Sequence, residues 1–388
     1  MFLLCNARCF APKPLGVVDL LVGGGRILAM GPDLDVPSDL AERVDLQGRP
    51  VVPGFIDAHT HLGGGGGEGG SHTRVPALKL TELTLHGVTT AIGLLGTDTT
   101  TRTIADLLAV ARGLEHEGIT TYCYTGGYAV PPVTLTGSAR GDLVHVDRII
   151  GIGETAIADH RSSQPSFGEI ARLAADAHVS GLMTGKAGLL HLHLGDGPTG
   201  LELVRRVAAE TELPRRVVHP THCNRNPSLW QEAMALGGDG GFVDVTAFPD
   251  DPDDVALPAA QALLAWWEST NDWSHVTVSS DGGGCLPTFD GDGVLETMDV
   301  GSARTLPLTL SRLVQLGVPV HEALGPMTSH VADLFRLHRK GRLAVGKDAD
   351  LVVLGRGGVV ADVMALGRWM VRDGEPVVRG TFEGSDVR

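Results

Sequence analysis

The sequence predicts an α/β protein whose main part is a TIM (β/α)8-type barrel, accompanied by a small β-sandwich domain built from both chain ends. Three observations lead to this prediction. Eight short apolar runs recur along the middle of the chain, amphipathic stretches of helical period separate them, and both ends are β-rich instead. The predicted boundaries are 54–339 for the barrel and 1–53 with 340–388 for the small domain. On pattern alone, a doubly wound open sheet is the alternative to a barrel.

The small domain is predicted from turn signals at both ends. Residues 16–30 favour two strands joined at Gly23–Gly25. Near the other end, residues 348–355 favour a strand, and 367–380 favour a hairpin whose turn is Asp373-Gly374. Because the two β-rich ends flank a middle of different character, we expect them to pair with each other.

The barrel is predicted from alternation of apolar runs with amphipathic segments. Residues 103–118 and 201–213 carry apolar side chains at helical spacing. The eight apolar runs that predict strands are 54–59, 87–96, 119–127, 149–158, 189–195, 216–222, 242–248 and 275–282.

Composition restricts the function classes. The net charge of −15 argues against a nucleic-acid surface, which needs clustered Lys and Arg. Five cysteines without a CxxC pair argue against a disulfide framework and favour a reducing compartment. The first ten residues hold too short an apolar run for a signal peptide, and no run of 18 apolar residues exists for a membrane span. We therefore expect a cytoplasmic protein that binds neither nucleic acid nor membrane.

The strongest local motif is His59-Thr60-His61 at the end of the first apolar run. Residues i and i+2 of a strand face the same way, so both imidazoles can reach one metal ion. Such a pair alone fits a structural role equally well. Its position at the C-terminal end of a predicted barrel strand favours a metal site, because barrel active sites gather there.

Later strand ends add further metal-ligating residue types. These candidates are Glu154, His193, His222 and Asp281. His191 competes with His193 because both face the same way, and His219 competes with His222. His193 and His222 are preferred because they lie nearer the C-terminal ends of their strands.

This order of ligand types resembles the amidohydrolase superfamily and, within it, the isoaspartyl dipeptidases. The HxH pair is common to the whole superfamily. The combination of a glycine-rich loop ending in Glu68 with the DHRS and PTHxNRN blocks is restricted to far fewer of its members. The resemblance covers residues 50 to 385. The blocks that carry it are PGFIDAHTHLGGGGGEGG (53–70), GLLGTD (93–98), TGGY (125–128), DHRS (159–162), HLGD (193–196), PTHCNRN (220–226) and SSDGGG (279–284).

The resemblance implies a site with two divalent cations, zinc being expected, that share a hydroxide. It implies Asp281 as the proton shuttle and Tyr128 as the hydrogen-bond donor to the scissile carbonyl. Tyr128 could instead be a loop residue that packs on the barrel rim. The implied metal ligands are His59, His61, Glu154, His193, His222 and Asp281.

The implied substrate is a small zwitterionic β-aspartyl dipeptide, and the implied assembly is a homo-oligomer. Glu68 would bind the substrate ammonium, while Arg161 and Arg225 would bind carboxylates through their planar guanidinium groups. A flexible loop is the alternative reading of the glycines; a phosphate loop is excluded because no Lys-Ser/Thr follows them. Residues expected to complete the substrate cradle are Thr97, Gly65 and Gly66.

Two positions depart from the family pattern. Most described members bridge the metals with a carboxylated lysine, but the equivalent position, seven residues before Arg161, is Glu154. Between the second and sixth strands the only lysine is Lys186, outside the expected position. Glu154 is therefore predicted to bridge, the alternative being a vacant bridge with one metal. Cys285 replaces the usual serine and is expected in the substrate pocket; its alternatives are a metal-reactive thiol or a nucleophile without a paired base.

Two other functions compete with this prediction. A related amidohydrolase could act on an N-acyl amino acid or on a cyclic amide such as dihydroorotate, but it would not need Glu68, Arg161 and Arg225 together. A metal-free scaffold of the same fold would be expected to lose ligands, whereas all six positions here hold competent residues.

Overall fold

A computed structural model describes residues 1–249 and 255–384 of the chain. The strands within these residues are β1 (Phe2–Phe10), β2 (Pro14–Gly23), β3 (Arg26–Gly31), β4 (Glu42–Asp45), β5 (Pro50–Pro53), β6 (Phe55–Thr60), β7 (Val88–Gly93), β8 (Thr120–Thr125), β9 (Ile149–Ile157), β10 (Leu189–Leu194), β11 (Val218–Thr221), β12 (Val243–Thr246), β13 (Val276–Ser279), β14 (Cys285–Phe289), β15 (Leu295–Val300), β16 (Leu351–Leu354), β17 (Val360–Ala365), β18 (Arg368–Arg372) and β19 (Glu375–Pro376).

Helices connect most of the parallel strands. None of the described helices combines the length and apolar character needed to cross a membrane. The α-helices are α1 (Leu80–Thr84), α2 (Ile104–Glu117), α3 (Ala139–His145), α4 (Phe167–Thr184), α5 (Glu202–Glu210), α6 (Pro227–Gly238), α7 (Ala259–Thr270), α8 (Thr305–Gln315), α9 (Val320–Ala323) and α10 (Ser329–Leu334).

The two chain ends meet in one sheet of nine strands, in the order β19-β18-β17-β16-β5-β1-β2-β3 with β4 paired to β1. Strand β5 joins the ends, because it pairs with β1 on one side and places Val52 opposite Val352 of β16 on the other. The β-sandwich prediction is not confirmed, since this pairing connects all nine strands into a single sheet. The domain boundaries stay a prediction, and residues 385–388 of the predicted small domain lie outside the described residues.

Both predicted hairpins are present in this sheet. Strands β2 and β3 are joined at Gly24 and Gly25, where φ is +57° and +78°. Strands β18 and β19 turn at Asp373 and Gly374, where φ is +51° and +79°. Two successive positive φ values are what a tight two-residue hairpin turn requires, and glycine and aspartate accept them more readily than most residues.

The middle of the chain forms a curled parallel sheet of six strands in the order β11-β10-β9-β8-β7-β6, and a separate parallel pair, β12-β13. Each of the eight predicted apolar runs overlaps one of these strands. A parallel bridge between Thr60 and Gly282 lies beside β6, and the Cys223 amide donates to the Asp244 carbonyl at 3.2 Å beside β12. Closure of all eight strands into one barrel stays a prediction.

Helices cover the outside of this sheet because their sequences present one apolar face and clear end signals. In α2, the Thr103 side chain accepts a hydrogen bond from the Asp106 amide and so caps the first turn. The buried residues Leu107, Ala111 and Leu114 recur at helical spacing on one side of α2. The strands themselves are buried on both faces, as expected when helices cover a parallel sheet.

A buried lysine links the terminal sheet to the parallel sheet. The Lys340 ammonium lies 2.6 Å from Asp350 Oδ2, 3.0 Å from Asp348 Oδ2 and 2.6 Å from Thr120 Oγ1 of β8. We expect Lys340→Met to lower the free energy of unfolding by about 3–5 kcal/mol, because it leaves the buried Asp350 without its cation and Asp348 with Arg339 alone. Urea unfolding followed by circular dichroism measures this.

The matched control for Lys340 is Arg342→Met. Arg342 pairs with Asp333 at the surface, where both side chains are exposed. Its loss should cost about 0–1 kcal/mol, since exposed pairs contribute little. Equal effects of the two substitutions would contradict a stabilising role for the buried lysine.

Candidate active site

Six metal-ligating side chains converge at one edge of the parallel strands. His59, Glu154 and His193 lie within β6, β9 and β10, while His61, His222 and Asp281 follow β6, β11 and β13 by one or two residues. All six are buried. Because the carboxyl ends of parallel strands meet at the same edge of a sheet, residues far apart in sequence come together here.

Glu154 lies at the centre of this cluster. Its Oε1 is 3.4 Å from His61 Nε2, and its Oε2 is 3.6 Å from His59 Nε2. The same Oε2 is 3.2 Å from His193 Nδ1 and 3.7 Å from His222 Nε2. One carboxylate therefore faces four imidazoles, two on the side of β6 and two on the side of β10 and β11.

Asp281 completes one side of the cluster. Its Oδ1 is 3.1 Å from His61 Nε2 and 3.4 Å from His59 Nε2. Two sets of three side chains bring their ligand atoms within 4.8 Å of one another: His59, His61 and Asp281, and His59, Glu154 and His222.

The donor atoms fit a divalent ion. His59 Nε2 and Asp281 Oδ1 are buried without a hydrogen-bond partner among the described residues. A buried polar atom without a partner is costly, and ligation by an ion would remove that cost. Imidazole nitrogens with carboxylate oxygens form a donor set that suits zinc and similar divalent metals.

Charge in the cluster is balanced by the histidines. Burial alone would raise the pKa of Glu154, but His59 and the imidazoles in hydrogen-bonding contact hold it well below its ordinary value. Burial would lower the pKa of His61, yet Asp281 and Glu154 raise it to about 10. Burial lowers the pKa of His222 to about 3. The carboxylates are thus ionised, and bound cations would take the place of the protons on the histidines.

Two of the six residues have unusual backbone conformations. The φ angle is +60° at His222 and +53° at Asp281. This left-handed region costs a side-chain-bearing residue on the order of 1–3 kcal/mol, and such strain concentrates at functional sites. Both conformations turn the chain sharply just after a strand, where the side chain can reach the cluster.

The competing histidines occupy a deeper layer. His191 Nε2 lies 2.8 Å from His59 Nδ1, and His191 Nδ1 lies 3.1 Å from His219 Nδ1. Burial lowers the pKa of His219 to about 4 and that of His191 well below its ordinary value. The structure therefore places His193 and His222 against Glu154, while His191 and His219 lie behind His59.

Asp159 is a site residue that the sequence analysis missed. Its Oδ2 lies 2.9 Å from His193 Nε2, and it accepts two hydrogen bonds from the Arg161 guanidinium, at 3.0 and 2.7 Å. The sequence pointed to Asp159 only through its place in the DHRS block.

The Tyr128 hydroxyl lies 2.8 Å from His193 Nδ1 and is buried, so Tyr128 is not a rim residue. Burial holds the pKa of Tyr128 well above its ordinary value, so its hydroxyl keeps its proton.

A cavity of about 760 Å³ opens above the cluster and contains Glu68 and Thr97 in its lining. Glu68 Oε1 accepts a hydrogen bond from Thr97 Oγ1 at 2.8 Å and lies 3.5 Å from Arg161 Nη1. Glu68 Oε2 is buried and has no hydrogen-bond partner among the described residues. An oxygen of this kind can accept a bond from a positively charged ligand group.

The sequence predicted that both Gly65 and Gly66 belong to the substrate cradle. Gly66 lines the cavity. The Gly65 amide, however, donates to the Gly283 carbonyl, and the Gly65 carbonyl accepts from the Val75 amide and the Arg102 guanidinium. Both polar groups of Gly65 are thus engaged within the protein. A side chain at Gly65 would also come within 3.3 Å of His61 Nδ1, so glycine is needed there for close packing.

Arg225 and Cys285 lie on the cavity wall. Arg225 Nη1 is 3.4 Å from Asp196 Oδ2, whereas Arg225 Nε is buried without a hydrogen-bond partner among the described residues. The Arg161 planar group, by contrast, is already held by Asp159, so only its Nη1 points toward Glu68. Burial raises the pKa of the Cys285 thiol to about 12, which argues against Cys285 as a nucleophile.

The β14-β15 hairpin forms another wall of the cavity and was not predicted. The Phe289 ring of this hairpin packs edge-on against the His160 ring, with 4.7 Å between the ring centroids. The Arg161 guanidinium lies 5.5 Å from the Phe289 ring centroid. The signal in the sequence was Asp290-Gly291-Asp292-Gly293, a turn-forming segment between two short runs.

Comparisons with known proteins identify the family of this chain. A model of the amidohydrolase family matches residues 51–370. The solved structure of beta-aspartyl dipeptidase from Fervidobacterium islandicum AW-1, in complex with a beta-Asp-Leu dipeptide, is 38% identical with a TM-score of 0.90. That match covers 96% of this chain and 98% of the other. The chain belongs to the beta-aspartyl dipeptidase family of the amidohydrolases.

More distant amidohydrolase relatives carry other names. The imidazolonepropionase of Pseudomonas entomophila is 26% identical over 384 residues, with 90% of each chain covered. The allantoinase of Escherichia coli O139:H28 is 24% identical over 397 residues, covering 90% of this chain and 84% of the other. Family membership makes this chain a metal-dependent hydrolase. Its substrate is a separate question, because this superfamily contains several hydrolases.

Proposed function

We propose that this amidohydrolase hydrolyses β-aspartyl dipeptides with two divalent metal ions, zinc being expected. The observation that carries the proposal is the Glu68 Oε2 atom, which has no hydrogen-bond partner among the described residues and lies in the same cavity as Arg161 and Arg225, beside the ligand cluster. A β-aspartyl dipeptide carries one ammonium and two carboxylates, which this arrangement of charges complements.

The metal ions would be held by the cluster around Glu154. His61 and Asp281 would hold one, His193 and His222 the other, with His59 beside the first and Glu154 between them. When bound, such ions polarise the scissile carbonyl and generate a nucleophile from water at neutral pH. A glutamate supplies two oxygens for bridging without any modification, so activity should not depend on bicarbonate.

The remaining steps belong to side chains of this chain. The Asp281 carboxylate, kept ionised by His59 and His61, would accept a proton and deliver it to the leaving amine. The Tyr128 hydroxyl would donate to the scissile oxygen as negative charge develops there. Glu68 would bind the α-ammonium, and Arg225 with Arg161 would bind carboxylates. Thr97 donates a hydrogen bond to Glu68, and Cys285, which lines the cavity, would contact the substrate.

A substrate panel tests the proposal. Protein of defined metal content is assayed with β-Asp-Leu, α-Asp-Leu, N-acetyl-β-Asp-Leu, N-acetyl-leucine and dihydroorotate. We expect hydrolysis of β-Asp-Leu, with the N-acetylated dipeptide much poorer because it has no ammonium for Glu68. Hydrolysis of N-acetyl-leucine or dihydroorotate without hydrolysis of β-Asp-Leu would contradict the proposal. It would favour the alternative, an amidohydrolase that acts on another small amide. We also expect a homo-oligomer, as the family resemblance implies, and a cytoplasmic location, as the cysteine usage favours.

Tyr128→Phe tests the hydrogen bond to the scissile oxygen. We expect kcat for β-Asp-Leu to fall by about 10²–10³, the typical effect of removing one donor to a developing oxyanion. The matched control is Tyr122→Phe, which removes a hydroxyl outside the cavity lining and should leave kcat unchanged. If the Tyr128 variant kept the wild-type kcat, its hydroxyl would serve only to hold His193.

A further inference from the structure

A continuous line of buried hydrogen bonds leads away from His59 into the interior. The described contacts run from His59 Nδ1 to His191 Nε2 (2.8 Å), from His191 Nδ1 to His219 Nδ1 (3.1 Å), and from His219 Nε2 to Thr277 Oγ1 (3.0 Å). Thr277 Oγ1 then donates to Asp244 Oδ1. All five residues are buried. The ligand cluster is thus connected to a carboxylate that lies outside it.

Asp244 fixes the direction of the last bond. Its Oδ2 accepts from Thr221 Oγ1 at 2.8 Å and from Ser279 Oγ at 2.5 Å, and its Oδ1 accepts from Thr277. Among the described residues no cation contacts this carboxylate, and its two oxygens accept hydrogen bonds from three hydroxyl groups. A hydroxyl has a single proton. Since Thr277 gives its proton to Asp244, Thr277 can only accept from His219.

This direction propagates through the histidines. His219 must carry its proton on Nε2, which leaves His219 Nδ1 as an acceptor for a proton on His191 Nδ1. His191 Nε2 is then an acceptor for a proton on His59 Nδ1. A neutral imidazole has one donor nitrogen and one acceptor nitrogen, so the direction of each hydrogen bond fixes the direction of the next. His59 Nε2 is left as a lone pair facing Glu154 and Asp281.

We propose that Asp244 is a positioning residue for the metal site: through Thr277, His219 and His191 it holds His59 in the tautomer whose Nε2 can ligate a metal ion. A metal-ligating histidine usually gives its second N–H directly to a carboxylate, a carbonyl or water. Here that acceptor is another imidazole, and the carboxylate stands three hydrogen bonds farther away. His59 is preorganised as a ligand because the opposite tautomer would deprive Asp244 of the Thr277 proton.

The wild-type protein offers the first test. Long-range ¹H–¹⁵N spectra of the full chain with ¹⁵N-labelled histidine, loaded with Zn²⁺, report which ring nitrogen carries the proton. We expect the proton on Nδ1 of His191 and on Nε2 of His219, with assignments from single histidine substitutions. The reverse tautomer in either ring would overturn the proposal.

Substitution of Thr277 tests whether the distant carboxylate matters. Thr277→Val removes the hydroxyl with little change of shape, and Thr277→Ser keeps it as the matched control. We expect the valine variant to bind Zn²⁺ about 10–100-fold more weakly in competition with a chelator, the usual range for loss of an outer partner of a metal ligand. The serine variant should bind like the wild type. Equal Zn²⁺ affinity in the two variants would overturn the proposal.

This inference relies on the proposed metal-dependent function only for the identity of the ligand cluster. The tautomer and Zn²⁺ measurements do not use a substrate. A protein that failed to hydrolyse β-Asp-Leu but showed the expected tautomers and Zn²⁺ affinities would refute the proposed substrate and leave this inference standing.

Discussion

Glu154→Ala is expected to leave fewer than two divalent ions bound per chain and to reduce hydrolysis at least about 10³-fold. Both oxygens of Glu154 face imidazoles of the cluster, so alanine removes a carboxylate that contacts both sides. Metal ions contribute several kcal/mol to lowering the barrier, and each 1.4 kcal/mol is a factor of ten in rate. Metal content by mass spectrometry and the rate with β-Asp-Leu measure the two effects.

Two further variants make the Glu154 experiment specific. Glu154→Lys places a lysine where most of the family carries a carboxylated one, and added bicarbonate should partly restore its activity. The wild type should not respond to bicarbonate. Glu210→Gln, on the exposed surface of α5, is the control for loss of a carboxylate elsewhere. Two tightly bound ions in Glu154→Ala would show that another residue forms the bridge.

Asp281→Asn is expected to lower kcat by about 10²–10⁴, the range for loss of a general acid–base group. Asparagine has almost the same shape and keeps one oxygen for contact with His59 and His61, but it cannot accept a proton from water or return it to the leaving amine. Burial would raise the pKa of Asp281, yet the two histidines hold it well below its ordinary value. The wild-type carboxylate is therefore ionised across the neutral range, the state that a proton acceptor needs.

The control for Asp281 is Asp299→Asn, the same substitution at an exposed residue of the cavity wall. It should leave kcat near the wild-type value. Comparison of kcat at saturating β-Asp-Leu, with metal content measured on the same samples, separates loss of proton transfer from loss of metal. Wild-type kcat in Asp281→Asn with full metal content would assign the proton transfer to another group.

The fold was predictable where its signals are local. Each of the eight apolar runs overlaps a strand because a strand buried on both faces is apolar throughout. The hairpin turns at Gly24 and Asp373 could be predicted because positive φ restricts the residue choice. Strand β1 was missed because a register shift between Leu4 and Ala7, with φ of +56° at Asn6, breaks its alternation.

The candidate site could be predicted for residues whose place at the end of a strand brings them to the site. His193 and His222 were preferred over His191 and His219 because they lie nearer the strand ends, and the structure places them against Glu154. Asp159 was missed because its partner, His193, lies in another strand. Asp244 was missed for a similar reason, since its role depends on three hydroxyl groups from two strands and the rings beyond them.

The β14-β15 hairpin and the ligand cluster differ in how firmly they are packed. The cluster lies on buried strands, whereas the hairpin is a partly exposed part of the cavity wall. Phe289 lies against Arg161, but Leu286 and Thr288 line the cavity without a described contact to the cluster. In directed evolution for new selectivity, Leu286 and Thr288 are therefore the hairpin positions at which substitution should disturb the cluster least.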